Sequence, residues 1–324
     1  MLVYLARRLT GLGPLFLGIT LVSFIVIHLA PGSPMDLLTD MNPDASPELR
    51  QRLEAHWGLG RPLPVQYGLW LKKLATGDLG VSMSRDARPV LDKITEALPV
   101  TLLLNAMSLC LILAMAIPIG VYSATHQYST ADRVTTVAVF LGFAMPTFWL
   151  ALLCMMFFGV ELGWLPVSGL KSLDHDSLGL GARMMDRARH LIMPVGVAAV
   201  TSLAGMSRYM RSSMLEVFRQ DYVTTARAKG LTERVVVYRH AMRNALLPVI
   251  TILGLSIPGL VGGSVIFETI FAIPGMGRLF YGAVMSRDYT VVMGVLVIGA
   301  LLTLVGNLLA DIMYAVADPR LRRR

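Results

Sequence analysis

The sequence predicts an all-α, polytopic membrane protein with about six transmembrane helices. Three observations carry that expectation: charged residues are scarce, long stretches contain none of them, and basic residues gather beside those stretches. Of 324 residues 55% are hydrophobic and only 15% are charged, against about a quarter charged in an ordinary globular domain. Composition does not separate a greasy soluble core from a membrane domain, but run length does, because crossing the hydrocarbon takes roughly 20 apolar residues. Residues 9–27, 100–125, 134–160, 191–207, 245–267 and 290–310 contain no Asp, Glu, Lys or Arg. The fourth run is the shortest and needs Arg208 and Arg211 to reach toward the headgroups.

Charge placement sets the expected topology. Arg7 and Arg8 precede the first run, which is longer than a signal-peptide core and is followed by no small-x-small cleavage site, so it reads as a retained helix. Between the fourth and fifth runs stand Arg208, Arg211, Arg219, Arg227, Lys229, Arg234, Arg239 and Arg243 against Glu216, Asp221 and Glu233, the signature of a cytoplasmic loop. The tail 318–324 is also basic, whereas 36–96 mixes both signs. Both termini are therefore expected in the cytoplasm, with the first long loop and residues 161–190 outside. The net charge of +8 is then a topology signal and asks for no nucleic acid. Cys110 and Cys154 lie inside apolar runs, where packing explains them and no disulfide framework or zinc site follows.

The expected organisation is an N-terminus and first helix over 1–30, a small helical extracytoplasmic subdomain over 31–98, a five-helix membrane core over 99–316 that includes a cytoplasmic loop over 208–245, and a basic tail over 317–324. Pro31, Gly32 and Pro34 stop the first helix. Ser46-Pro-Glu-Leu supplies an N-cap with proline at the first helical position. A second short helix is expected over 65–75, where Tyr67, Trp70, Leu71 and Leu74 recur at helical spacing. Pro118, Pro146 and Pro258 sit within spans and predict kinks, tolerated where neighbours re-satisfy the freed carbonyls.

Much chemistry is missing. No G-x-x-x-x-G-K-[ST] loop, G-x-S-x-G elbow or H-E-x-x-H pair is present. The centres of the runs carry no ionisable groups of the kind that hold a coupling ion; His28, Glu268 and Asp311 fall at the ends. The sequence thus offers no catalytic, cofactor-binding or metal residues, and a pore of this kind either borrows its energy from a partner or is passive.

The 208–245 loop contains Gln220-Asp-Tyr-Val-Thr-Thr-Ala-Arg-Ala-Lys-Gly-Leu. Phe218, Tyr222 and Ala226 recur every four residues, predicting an aromatic and small-residue stripe on one helix face, and Gly230 is expected to end that helix. Periodicity alone leaves two readings open, a helix lying on lipid and a helix seated in a groove of another protein.

These residues resemble the coupling loop of ABC importer permeases, whose pattern is E-A-A, three residues, Gly, and later Leu-Pro. Thr224, Thr225 and Ala226 occupy the first places, Gly230 the glycine and Leu247-Pro248 the end. Threonine replaces the glutamate and the gap to Leu247 is longer than in the general pattern. T-A-R-A-K-G-L followed by R-H-A-x-R-N-A-x-L-P is the form of the dipeptide, oligopeptide and nickel subfamily. The likeness extends to Ala30-Pro-Gly-Ser-Pro, Gly77-Asp-Leu-Gly, Met145-Pro-Thr-Phe-Trp, Trp164-Leu-Pro-Val-Ser-Gly, the 267–278 stretch and Arg287-Asp-Tyr.

The resemblance implies the type I importer permease fold and a place in a bacterial inner membrane. It implies one half of a pathway for short peptides, or for nickel or a nickel chelate; a non-transporting scaffold is the reading from another class. The implied partners are a second related permease, with family precedent favouring a heterodimer, two ATPase subunits that hold the ATP and magnesium, and an extracytoplasmic solute-binding protein. Asp221, Tyr222, Thr225, Ala226, Arg227, Ala228, Lys229, Gly230, Arg239, His240 and Arg243 would form the ATPase-coupling surface. Glu268, Phe271, Pro274, Gly275, Gly277 and Arg278 would line a re-entrant external mouth, where Glu268 either contacts substrate or is a cap or ion-pair partner of Arg278 or Arg287.

Overall fold

The computed structural model describes residues 2–29 and 59–317. The stop at Pro31, the helix start at Ser46 and the tail 318–324 lie outside them. In chain order the helices are α1 (Leu2–Leu29), α2 (Leu63–Ala75), α3 (Val90–Thr125), α4 (Thr130–Ala144), α5 (Thr147–Cys154), α6 (Leu180–Phe218), α7 (Asp221–Ala228), α8 (Met242–Ser256), α9 (Val265–Ile270), α10 (Met276–Met285) and α11 (Tyr289–Ala317). A π-helical turn, Met155–Glu161, prolongs α5, and α8 is entered through Glu233–Val235 and a second π-helical turn, Val236–Ala241. No strand occurs among the described residues; Val81 and Pro89 form an isolated bridge.

Four helices, α1, α3, α6 and α11, are each long and apolar enough to cross a membrane, and two bent pairs bring the number to six. The third and fifth charge-free runs are thus not straight spans. The third breaks between α4 and α5 with a bend of 102°. Its cause is Pro146, whose ring disfavours helical backbone at the preceding residue; Met145 is accordingly extended, with ψ 131°. The fifth bends by 51° where Pro258 opens a 3-10 turn, Pro258–Leu260, and helix resumes at Val265. By contrast α3 stays helical through Pro118. The shortest charge-free run belongs to the longest described helix, the 39 residues of α6.

The described chain divides into two compact units. The first holds α1, α2, the start of α3 to Thr101, and Pro274–Leu308 with 261–265. Its core joins Phe24 and Ile27 of α1, Val90 and Ile94 of α3, Ala283 of α10, and Val291 and Val295 of α11. Helix α2 forms where the spacing predicts, and its Tyr67, Trp70 and Leu74 pack on that core. The Tyr67 hydroxyl and Thr20 Oγ1 share a hydrogen bond of 2.9 Å.

Buried Asp288 caps α11 by accepting from Val291 N at 3.1 Å. The other carboxylate oxygen of Asp288 accepts from Ser82 Oγ and from Ser84 N, which fastens the loop before α3 to α11. Lys93 donates to Ser82 and Ser84 and pairs with Asp86 at 2.9 Å. The Ser84 hydroxyl, with Lys93 beside it, lowers the Asp86 carboxyl to about 2.

The second unit, 102–260 with 266–273, is organised around α6. Glycines bring its neighbours close. A Cβ at Gly120 of α3 would stand 2.5 Å from Met210 Cβ and 2.8 Å from the Ser207 carbonyl oxygen of α6, and one at Gly142 of α4 would stand 2.7 Å from Val200 Cγ1. Val121, Met210, Met214, Ala241, Ala245 and Val249 form the core between α3, α6 and α8. Cys110 is exposed and not packed inside this unit as expected, while Cys154 is partly buried.

Gly120→Ala is expected to lose about 1–3 kcal/mol by overpacking against backbone that cannot yield. Gly205→Ala, on the same unit where a Cβ meets nothing within 4 Å, is expected to be neutral or to gain up to about 1 kcal/mol from helix propensity. Thermal unfolding of the detergent-solubilised variants checks the pair.

Candidate functional site

The 208–245 segment folds as a helix, a tight turn and a second helical stretch that runs without interruption into α8. Helix α6 ends at Phe218, Gln220 is extended, and Asp221 opens α7 with a negative charge at the positive end of the helix. The stop is at Gly230, with φ +76°. Leu231 N donates to Ala226 O at 3.4 Å and Gly230 N to Arg227 O at 2.9 Å, the paired bonds of a Schellman end.

The same bond pair closes α9, through Ile273 N to Glu268 O, and α10, through Asp288 N to Ala283 O, both at 2.8 Å. There Ala272 (φ 51°) and Arg287 (φ 49°) take the left-handed position without being glycine.

The buried face of α7 differs from the expected stripe. Val223 and Ala226 are the buried positions and pack with Val236, flanked by Val217 and Phe218. Tyr222 is exposed, and its hydroxyl accepts from Asn244 Nδ2 at 2.7 Å. An aromatic at the four-residue spacing drew attention from the smaller Val223, whose i, i+3 relation to Ala226 is the signal that identifies the face.

Arg227 stacks over the Phe218 ring at 5.6 Å and bonds Glu233 at 2.8 Å, bracing the turn across Gly230. The remaining surface is open: Asp221, Thr224, Thr225, Ala228, Lys229, Gly230, Arg239 and Arg243 are exposed, and His240 is half-buried. Arg239 and His240 lie in the π-helical turn, a distortion common at functional positions. A cleft of ≈ 490 Å³ lies beside α7, lined by Thr125, His126, Phe218, Arg227, Arg234 and Tyr238 among others.

The other expected site residues are distributed differently. Glu268 and Phe271 are buried, each 1% exposed, whereas Pro274 and Arg278 are exposed. Gly275 and Gly277 are buried, and a Cβ at Gly277 would stand 2.7 Å from the Ser264 carbonyl carbon, so only glycine permits that approach. Phe271 O accepts from Gly169 N at 2.8 Å, linking the turn after α9 to the loop before α6.

That loop is held by Asp186, which accepts from Ser172 N at 3.0 Å and contacts His175 Nδ1 at 2.6 Å. Sequence reasoning did not single out this cluster. It also missed the pairing of Asp132 with Arg211 at 3.1 Å, which joins residues 79 positions apart.

Residues 116–323 match the family described as binding-protein-dependent transport system inner membrane component. The chain is 46% identical over 321 residues to the oligopeptide transport system permease protein AppB of Bacillus subtilis, covering 99% of both. It is 39% identical over 336 residues to the dipeptide transport system permease protein DppB of Alkalihalophilus pseudofirmus, covering 99% of this chain and all of that one. Against DppB of Escherichia coli K12 it is 36% identical over 340 residues, the full length of each.

Val223→Ala removes two methyls from the contact that seats α7 and is expected to cost about 1–3 kcal/mol, between the ranges for Ile→Val and Leu→Ala. Hydrogen exchange should show lost protection in the α7 amides. Thr224→Ala, on the exposed side, should leave that protection unchanged.

Proposed function

The chain belongs to the family of binding-protein-dependent transport system inner membrane components, and on that footing we propose that it forms half of the translocation pathway of an ATP-driven importer of short peptides. The observation that carries the coupling role is the presentation of α7. Its apolar side is seated on its own unit, its polar side is exposed, and a Cβ at Gly230 would meet nothing within 4 Å. The left-handed φ of +76° accounts for the glycine itself, and the open space around it leaves room for a partner surface to come close.

In this reading one of two ATPase subunits receives Asp221, Tyr222, Thr225, Ala228, Lys229 and Gly230, with Arg239, His240 and Arg243 behind them, and the other receives the loop of the second permease. ATP and magnesium belong to those subunits, and this chain is a non-enzymatic pore component. A second, related permease completes the pathway, and a binding protein delivers solute from outside. Both termini then lie in the cytoplasm, as the charge distribution predicts.

Mechanically, closure of the ATPase pair displaces α7. Val223, Ala226 and Val236 transmit the displacement to the ends of α6 and α8, because packed helices move as bodies and do not deform continuously. Peptides are preferred over nickel as the solute, since the similar permeases named above carry oligopeptide and dipeptide names.

Gly230→Trp is expected to abolish labelled dipeptide uptake by the reconstituted transporter while membrane insertion is kept and ATP hydrolysis continues without uptake. Gly230→Asn, which tolerates the left-handed conformation, should retain most uptake. Normal uptake by the Trp variant would refute the docking role, and nickel uptake without dipeptide uptake by the unmodified transporter would refute the substrate class.

A further inference from the structure

A second cavity, of ≈ 270 Å³, opens between α3, α4 and α6 in the second unit. Its frame follows from the two glycine crossings. Gly120 draws α3 onto α6 and Gly142 draws α4 onto α6, and beyond these crossings the helices leave a crevice at the end of α6 nearest the basic loop. Ser123 of α3, Thr135 and Thr136 of α4, and Ser207, Arg208 and Arg211 of α6 line it.

The charges in and beside this crevice do not balance. Asp132 neutralises one guanidinium through Arg211 Nη2 at 3.1 Å. Within that pair Arg211 Nε and Asp132 Oδ1 are both buried with no hydrogen-bond partner, so the unpaired donor and acceptor offset each other. Arg208 lies over the Phe140 ring at 4.7 Å and makes no ion pair among the described residues. One positive charge, that of the exposed Arg208, is therefore in surplus beside four hydroxyls. A cation held at the mouth of a crevice lined by hydroxyls attracts an anion that can accept from both. The complement is a small, singly negative group with several acceptor oxygens.

We propose that this cavity binds the phosphate of an anionic phospholipid. Three features favour a lipid over a dissolved solute. Arg208 immediately follows the charge-free run 191–207, which sets the crevice at headgroup depth. Ile119, Val139 and Phe140 add apolar lining beside the hydroxyls and arginines, and Phe140 is exposed, suited to the start of an acyl chain. The volume lies just under the roughly 300–1,000 Å³ of sites that enclose a drug-sized ligand, so it admits a headgroup and leaves the tails outside. Basic pockets between spanning helices are a recurrent means of holding such headgroups.

The test is native mass spectrometry of the full-length, delipidated protein in detergent, titrated with phosphatidylglycerol or phosphatidylcholine. The wild type should retain one phosphatidylglycerol in preference to phosphatidylcholine, and R208Q should need about fivefold more phosphatidylglycerol for the same occupancy. R219Q, which removes a loop arginine outside the cavity, should behave as the wild type. Thr136→Val, which leaves both arginines in place, should also weaken retention and serves as a second variant if R208Q does not fold. Equal retention by wild type, R208Q and Thr136→Val would overturn the site. Displacement of phosphatidylglycerol by millimolar inorganic phosphate would overturn the lipid assignment in favour of a free anion.

Discussion

In hydrocarbon every backbone N–H and C=O needs a partner within the protein, and the fold described above follows from that requirement. It makes the spans helical and restricts where they can be broken. At the irregular segments the substitute partners are identifiable. Where the fifth span opens beyond Ile257, the Leu260 carbonyl accepts from Asn105 Nδ2 at 2.7 Å. At the start of α10, Met276 N donates to Thr101 Oγ1 at 2.8 Å, and Thr101 is fully buried. After α9 the Phe271 carbonyl accepts from Gly169 N. Two polar side chains on α3, each within an otherwise apolar stretch, thus allow the chain to leave helical geometry elsewhere. Removal of the Thr101 hydroxyl would leave the buried Met276 N–H unpaired, at about 1–3 kcal/mol.

Local signals in the sequence were legible where a single interaction decides the outcome. Hydropathy located the spans, since length and charge are the physical requirement itself. The helix over 65–75 was visible because its apolar residues are spaced for one face, and Gly230 because a left-handed helix end favours glycine. The break at Met145 and Pro146 was legible as a kink but not as a bend of 102°, since its size depends on what α4 and α5 pack against. The face of α7 was misread because ring size stood in for burial, when the neighbours Val217 and Val236 decide which side is covered. Asp132 with Arg211, and Asp186 with His175, pair residues from different helices or loops, and one chain without its fold does not bring them together.

The Schellman ends show the same division. At Gly230 the residue type announces the turn. At Ala272 and Arg287 the identical hydrogen-bond pair is formed by residues that disfavour the left-handed region by roughly 1–2 kcal/mol. The surroundings hold them there: Phe271 and Ile273 flank Ala272 and are buried, and Asp288 after Arg287 is anchored through Ser82 and Val291. Conformations of this kind are set by tertiary structure and have no local signature.

Helix α6 has a further consequence. Its 39 residues run without a break from Leu180 to Phe218 and remain helical through Pro194, a rod of roughly 58 Å at 1.5 Å per residue. That exceeds the hydrocarbon thickness of about 30 Å, so one continuous body joins the Asp186 cluster near its start to the residues that seat α7 at its end. Pivoted at one end, such a beam carries the other sideways by about 1 Å for each degree of tilt. Angstrom-scale travel of α7 therefore corresponds to only a few degrees of rotation at the far loop, and the stiffness of α6 sets how closely events on the two sides of the membrane are geared together.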